Sequence, residues 1–527
     1  MTSLGDPLRP STLSANGATL AFVGLLLALG ASGCCDDFSK VEQSARGDDK
    51  ASRVVWTARV GDAMRVGAIR VGATASDETV VAASLQGDVT VGGEKLPASR
   101  GPKDDAKMSA SDDVAVWKLK ANGKPLWALR FGDAQSQQVT ALSVTGAGTI
   151  FVGGRFEGSM PWGNQSWSAG EHAYAGFVGS IDPVGVPGWG TWFDAAPVVL
   201  KHAPADTPPS FGATVSTVGT DAMGRLFVLG NYQGKFRVNG KQPIEDAPDR
   251  VGGSFFARFD LGGAMRWFRL ASYSERSGDA KEGGTLHAVA ESMCSTRHGN
   301  VVLVGTASGE GSFVGLPMKA HPTGSLFVSA WNQSGEHLWD YMFPASGDIA
   351  SLRVAVADDG SIFVAGITRG KVTLDATSVE SDSAGSAVPP STGALFAARL
   401  DASGKALWLK RLAHARWDSP VGLSVAGNDG FVIAATVVER QTDVGGGALF
   451  DKPMAGKDGA VFVARYGVDG KHQWSRGFIT ADRNSSGDVV VSKSGRAVVA
   501  GLLNVGTCPG ACEQKQLGDV FVAALGK

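Results

Sequence analysis

One phrase recurs six times along this chain of 527 residues, and it constrains the fold more than any other feature. The phrase is Gly-x-x-x-Trp: GKPLW at Gly123–Trp127, GVPGW at Gly185–Trp189, GAMRW at Gly263–Trp267, GEHLW at Gly335–Trp339, GKALW at Gly404–Trp408 and GKHQW at Gly470–Trp474. Each follows an apolar run, such as ALFAARLD (Ala394–Asp401) or AVFVARYG (Ala460–Gly467). The pattern reads as a strand, a tight turn at glycine, and a second strand carrying Trp. A second phrase lies upstream: GTIFVGG (Gly148–Gly154), GRLFVLG (Gly224–Gly230), GNVVLVG (Gly299–Gly305), GSIFVAG (Gly360–Gly366) and GRAVVAG (Gly495–Gly501). Before it stands another apolar run, for example IASLRVAV (Ile349–Val356). The repeating unit therefore has four strands, A to D, with short A–B and C–D turns, and no segment keeps a helical period. Four-stranded units repeated radially predict an all-β chain folded as a β-propeller.

Counting units sharpens the expectation. Six units end in a strand-D Trp, while the last begins near Gly487, runs through GRAVVAG and VFVAALGK (Val520–Lys527), and lacks a fourth strand. One strand is spare at the other end: RVVWTARVGD (Arg53–Asp62), which carries Trp56. If it completes the C-terminal unit, residues 53–527 form a seven-bladed β-propeller with no raw edge. Trp56, Trp127, Trp189, Trp267, Trp339, Trp408 and Trp474 are then structural, each packing between neighbouring sheets, where an indole removes roughly 150–250 Å² from water.

The N-terminus carries an address. Ala18–Ala31 is almost wholly apolar and shorter than the roughly 20 residues a membrane-spanning helix needs. It has the length of a signal-peptide hydrophobic region followed by small residues. Ala31-Ser32-Gly33-Cys34 resembles the lipobox of bacterial lipoproteins, although Ala31 stands where the family usually has Leu. The resemblance implies cleavage after residue 33 and acylation of Cys34. Residues 1–33 are then a lipoprotein signal peptide, and residues 34–52, polar and without apolar period, read as a flexible tether. The expected location is the bacterial envelope, at the outer membrane, facing the periplasm or the surface.

Charge and cysteine usage narrow the chemistry. Lys plus Arg number 49 against 51 acidic residues, so no global field invites nucleic acid. Five cysteines rule out a disulfide-dense scaffold. Cys508 and Cys512 bracket a Pro-Gly turn and read as a small disulfide loop in an oxidising compartment. Cys294 reads as a buried, inert thiol near a strand end. The eight histidines are scattered, and neither a metal site, a nucleophile elbow, a phosphate loop nor a calcium loop appears. No catalytic residue and no cofactor are expected.

The repeats resemble the seven-bladed propeller repeats of bacterial exported proteins, abundant in gliding and predatory soil bacteria, best seen in GSIFVAGITRG followed by GALFAARLDASGKALW. The resemblance covers Arg53 to Lys527. The first blade lacks the strand-B glycine, and the sixth has Ala434-Ala435 there. The family implies an envelope-anchored, non-catalytic binding or scaffold module whose partner is an envelope protein or polysaccharide. RLDASGKALW (Arg399–Trp408) also looks like the tryptophan-docking phrase of pyrroloquinoline-quinone dehydrogenases, with Cys34-Cys35 resembling their vicinal pair. Those enzymes have eight blades, which makes a quinoprotein the weaker alternative. A carbohydrate-binding propeller is the stronger one, motivated by 13 Trp. Trp162, Trp167 and Trp331 fill repeat positions that are apolar elsewhere, and Trp117 lies in a C strand. Only Trp192 and Trp417 fall outside the pattern, and Trp417 is the candidate ligand platform.

Strand alternation assigns a face. Turns A–B and C–D lie on one side and connections B–C and D–A on the other, where nearly all length variation occurs. Ala196–Ala213 and Ser272–Thr285 read as D–A insertions; Ser99–Asp113, Asp375–Gly393 and Val437–Gly459 read as B–C excursions. Variable loops on a rigid scaffold are where binding residues gather, although exposed loops also tolerate insertion at little cost.

Overall fold

The computed structural model describes residues 42–526 apart from residues 49, 51, 62–64, 100–110, 170–172, 198–210, 242–249, 275–285, 315, 382–390, 439–441, 450–458, 480–481 and 505–518. Among the described residues every regular element is a β-strand. Two strands come first, β1 (Glu42–Gly47) and β2 (Val54–Gly61). Unit 1 has β3 (Arg65–Ala73), β4 (Thr79–Gln86), a small hairpin β5 (Val89–Val91) and β6 (Glu94–Leu96), then β7 (Asp113–Leu119) and β8 (Pro125–Phe131). Unit 2 has β9 (Gln137–Val144), β10 (Ile150–Glu157), the hairpin β11 (Ser159–Trp162) and β12 (Gln165–Ser168), β13 (Tyr174–Ile181) and β14 (Pro187–Ala196). Unit 3 follows with β15 (Gly212–Thr220), β16 (Leu226–Gln233), the short β17 (Lys235–Val238), β18 (Arg250–Phe259) and β19 (Met265–Ser274).

Unit 4 contains β20 (His287–Ser295), β21 (Val301–Ser308), the hairpin β22 (Glu310–Phe313) and β23 (Leu316–Lys319), β24 (Ser325–Trp331) and β25 (His337–Ser346). Unit 5 contains β26 (Ile349–Val356), β27 (Ile362–Thr368), the hairpin β28 (Lys371–Leu374) and β29 (Thr377–Glu380), β30 (Thr392–Leu400) and β31 (Ala406–Arg416). Unit 6 has β32 (Gly422–Val425), β33 (Gly430–Val437), β34 (Ala460–Gly467) and β35 (His472–Ile479). The chain ends in β36 (Asp482–Val491), β37 (Ala497–Asn504) and β38 (Asp519–Leu525).

Within each unit the strands pair antiparallel in the order A-B-C-D, as in β26-β27-β30-β31. The fourth partner of β36-β37-β38 is β2, with Val60 opposite Val520 and Val54 opposite Leu525. The first strands of successive units lie side by side: β3 against β9, then β15, β20, β26, β32 and β36, which lies back against β3. Strands B and C are sandwiched between neighbouring units and are buried on both faces, as β7, β27 and β33 are throughout. That is why they read as continuous apolar runs, while a half-exposed D strand such as β25 alternates.

The strand-B glycine of the repeat has a packing cause. In unit 4, a Cβ on Gly305 would strike the Val289 carbonyl and come within 2.8 Å of the Phe327 ring on strand C. The inner strand is bulged at the same level, between Ala290 and Ser292. The inner strands of units 2, 3 and 5 and of the last unit are bulged at the matching place, opposite or beside Gly154, Gly230, Gly366 and Gly501. Unit 6, with Ala434-Ala435 in place of the glycine, pairs β32 with β33 in unbroken register. In units 2 to 5 and the last unit the ring of strand C stands where a side chain on that glycine would go, whereas unit 1 is bulged with Ala82-Ala83 there and unit 6 holds Ala435 opposite Phe462.

The Gly-x-x-x-Trp phrase couples one unit to the next. The indole of Trp339 lies over Gly404, where an added Cβ would stand 2.6 Å from the ring. Trp56 faces Gly123, Trp127 faces Gly185, Trp189 faces Gly263 and Trp267 faces Gly335 in the same way. The indole N–H of Trp189, Trp267 and Trp408 donates to a carbonyl of the next unit's turn, Leu261, Gln333 and Val468 respectively, each at 2.9 Å. Trp474 is buried instead, in a cluster with Phe478, Phe521 and Leu525.

Two features depart from the sequence reading. Residues 42–47, inside the segment expected to be a tether, form β1, which pairs with the outer strand β35 from Glu42–Ile479 to Gly47–Trp474. Main-chain pairing to an open edge needs no apolar pattern, so the polar EQSARG gave no signal. The B–C connections are also more than excursions: four contain a hairpin and unit 3 a single strand. β5, β17 and β28 each pair with the D strand of the preceding unit, β2, β14 and β25, and cover part of its edge.

Candidate functional site

A cavity of about 270 Å³ opens on the B–C and D–A side of unit 4. Its wall is built where five strands meet that side: the start of β20 (His287, Val289), the end of β21 (Thr306, Ser308), the start of β24 with the turn before it (Ser325, Thr323), and the end of β25, the start of β26 and the link between them (Ala345, Ile349, Gly347). Strand alternation dictates this composition. Register pairs His287 with Ser308 and Val289 with Thr306, placing one imidazole and two hydroxyls on the exposed ends of adjacent strands.

The polar groups divide into those that hold the wall and those left available. Thr323 Oγ1 donates to the Ala345 carbonyl at 2.8 Å, and Ser325 Oγ accepts the His321 amide at 2.9 Å. His321 Nδ1 lies 3.0 Å from Thr323 Oγ1, which ties the corner together. The hydroxyls of Thr306 and Ser308 have no hydrogen-bond partner among the described residues. Among the described residues no carboxylate, lysine or arginine lines the cavity, and its wall is rich in groups that both donate and accept.

The rim runs from the cavity to Trp417. Gly347 abuts Gly370, and the Arg369 amide donates to the Asp348 carbonyl at 3.0 Å. The Arg369 guanidinium in turn lies over the Trp417 ring, 4.3 Å from its centroid. Trp417 also packs against the core between units 5 and 6, and its amide donates to the Ser391 carbonyl. The candidate platform thus stands on the expected face, but one side of its ring is occupied by a cation–π contact. Trp192 lies under the Asn239–Gly240 turn that follows β17.

The other sequence candidates fall as follows. Cys34, Cys508 and Cys512 lie outside the described residues, as do His172 and His202. Cys294 is a free thiol one residue from the end of β20, and burial pushes its pKa up to about 11. Among the described residues no group of three His, Cys, Asp or Glu stands close enough to hold a metal ion. Sequence reasoning missed the cavity residues because serine and threonine at strand ends look like turn chemistry. The available signal was the pair TAS (306–308) and TGS (323–325), hydroxyls on both sides of one B–C connection.

No protein-family model matches the chain, and no curated protein does. Solved structures give distant likenesses. A protein of unknown function from Dyadobacter fermentans is 12% identical with a TM-score of 0.36, over 83% of this chain and 98% of that one. The NanB sialidase from Streptococcus pneumoniae is 10% identical with a TM-score of 0.36, over 90% of this chain and 70% of that one. A Hadza microbial sialidase, Hz136, is 11% identical with a TM-score of 0.35, over 92% of this chain and 95% of that one. The expectation of a non-catalytic binding scaffold is corrected at this point. The named neighbours include sialidases, and the carbohydrate alternative rests on the residues of the unit 4 cavity.

Proposed function

We propose that this chain is an exported envelope protein, anchored through Cys34, whose seven-bladed propeller binds carbohydrate in the unit 4 cavity. The observation that carries the ligand class is the pair of hydroxyls, Thr306 and Ser308, that have no partner among the described residues and line the cavity beside His287. A sugar ring presents hydroxyls that donate and accept, and a wall of Ser, Thr and His answers both roles. The volume, about 270 Å³, lies just under the roughly 300–1,000 Å³ of drug-sized ligand pockets and suits one sugar residue of a chain. The propeller reading is supported by the pairing of β2 with β38 and by the cycle of inner strands from β3 back to β3. The anchor reading is supported by the small residues and cysteine at 31–34.

The test is binding to an array of bacterial envelope polysaccharides, followed by calorimetry on whichever glycan is retained. Replacing Thr306 by Val and Ser308 by Ala removes both hydroxyls with little change of shape. Each lost hydrogen bond is worth about 0.5–1.5 kcal/mol, so the double variant is expected to bind at least several-fold more weakly. Retention of no glycan sinks the reading. Undiminished binding by the double variant moves the site away from unit 4.

A further inference from the structure

Four ionisable side chains converge on the axis around which the inner strands are arranged. Arg70 stands on β3, Glu291 on β20, Arg353 on β26 and Asp488 on β36. Each sits at the strand bulge or within two residues after it. The bulge re-aims side chains that the regular pleat would have sent into the packed sheet. Unit 6 has a short inner strand without a bulge and contributes no charge at this level, and Arg353 and Asp488 interact across it.

These charges are held by main chain rather than by one another. Arg70 Nε donates to the Thr140 carbonyl at 2.6 Å and its Nη1 to the Ile69 carbonyl at 2.8 Å. Arg353 Nη1 donates to the Leu352 carbonyl at 2.9 Å. Asp488 accepts the amides of Val71 at 3.3 Å and Val489 at 2.9 Å. None of the four takes part in a salt bridge among the described residues, and all four residues are half-buried. Burial and the facing charge of Arg353 lower the pKa of Arg70 to about 10, while burial raises those of Glu291 and Asp488. Two cations and two anions are thus gathered without a contact ion pair, Asp488 acting through space on Arg70 and Arg353, and Glu291 on Arg353.

We propose that this axial cluster binds a small zwitterion, its carboxylate bridging Arg70 and Arg353 and its ammonium facing Asp488 and Glu291. A lone anion would relieve the guanidinium pair but face two carboxylates, and a lone cation would meet the converse. A ligand carrying both signs answers all four groups, and the main-chain anchors pre-organise them for charge-assisted bonds. The site is separate from the unit 4 cavity and does not depend on what that cavity binds.

The experiment is thermal unfolding of the full chain at pH 7 and low salt with glycine, 4-aminobutyrate, acetate or ethylammonium, followed by calorimetry on the best ligand. The two amino acids differ in charge spacing. The expected result is a saturable rise in midpoint with at least one amino acid, absent with acetate and ethylammonium at equal concentration. Affinity should fall more than 10-fold in Arg353→Gln and in Asp488→Asn, with any glycan binding at unit 4 unchanged. An equal rise with acetate alone, no rise with either amino acid, or undiminished affinity in both variants overturns the proposal. The wild-type panel decides the matter even if a variant fails to fold.

Discussion

The Gly526 amide donates to the Arg53 carbonyl at 3.0 Å, joining the last described residue to the strand that opens the repeat region. In units 1 to 6 strand C turns covalently into strand D through a glycine such as Gly263, whose amide bonds Asp260 three residues back. In the last unit the turn is missing, and strand pairing between β38 and β2 does its work. Deleting residues 53–61 is therefore expected to uncover the β38 edge and the cluster around Val60. Thermal midpoint should fall, and chromatography should show association through the bare edge. A monomer with an unchanged midpoint would mean that β2 is dispensable.

The indoles that link units should contribute in two separable ways. Trp339→Ala removes the ring lying over Gly404 and is expected to cost about 3–5 kcal/mol, towards the lower end because Trp339 is only half-buried. Trp189→Phe keeps an aromatic ring but loses the 2.9 Å bond to the Leu261 carbonyl, and should cost about 1 kcal/mol. Denaturant titration distinguishes them. Equal losses in both variants would mean that area and hydrogen bond are not separate contributions.

The strand-B glycine allows a sharper comparison. Gly305→Ala forces a methyl against the Val289 carbonyl and the Phe327 ring, an overpacking expected to cost about 1–3 kcal/mol. The reverse exchange in unit 6, Ala435→Gly, meets no such contact and should cost about 0.5–1 kcal/mol through lost side-chain packing and backbone freedom. Equal effects would show that the glycine is tolerated rather than required.

Most of the strand pattern was legible because both repeat phrases encode contacts that recur: Gly305 under Phe327 and Trp339 over Gly404. What the sequence hid has a common cause. β1, β5, β17 and β28 gain their stability by pairing with distant edges, β35 in the first case and β2, β14 and β25 in the others, so their own residues need show no period. The axial charges were hidden for the opposite reason. Arg70, Glu291, Arg353 and Asp488 sit in short runs that look like ordinary strands, and only the bulges bring them to one level. The cavity hydroxyls Thr306 and Ser308 became visible only when unit 4 closed around them.

Arg369 controls what Trp417 can do. With the guanidinium 4.3 Å from the ring centroid, one face of the indole is closed to a stacking sugar. If Trp417 extends the unit 4 site, Arg369→Ala should uncover that face, raise glycan affinity and increase the quenching of Trp fluorescence by iodide. If its role is packing alone, Arg369→Ala should alter quenching and leave affinity unchanged, while Trp417→Ala lowers stability through the cluster it shares with Leu412 and Val421.

The C–D turns carry a titratable version of one device. Asp260 accepts the Ala264 amide at 2.9 Å, Asp401 bonds the Ser403 hydroxyl and the amides of Ser403 and Lys405, and Asp469 accepts the Lys471 amide at 3.0 Å. The Ala264 amide, the Ser403 hydroxyl and the Lys471 amide are the main reasons why these carboxyls lie below their ordinary value of 3.8. A carboxyl with a depressed folded pKa binds fewer protons than in the unfolded chain. Its contribution is complete above 3.8 and is lost as pH falls through the folded value. Asn332 holds the equivalent turn in unit 4, its side-chain oxygen accepting the amides of Ser334 and Glu336 without titrating. Replacing Asp260, Asp401 and Asp469 together by Asn should therefore preserve the turns and remove their proton dependence. The thermal midpoint of the triple variant is expected to fall less steeply than that of the parent between pH 4 and pH 2, with the two curves converging at neutral pH, while parallel curves would show that these turns do not sense acid.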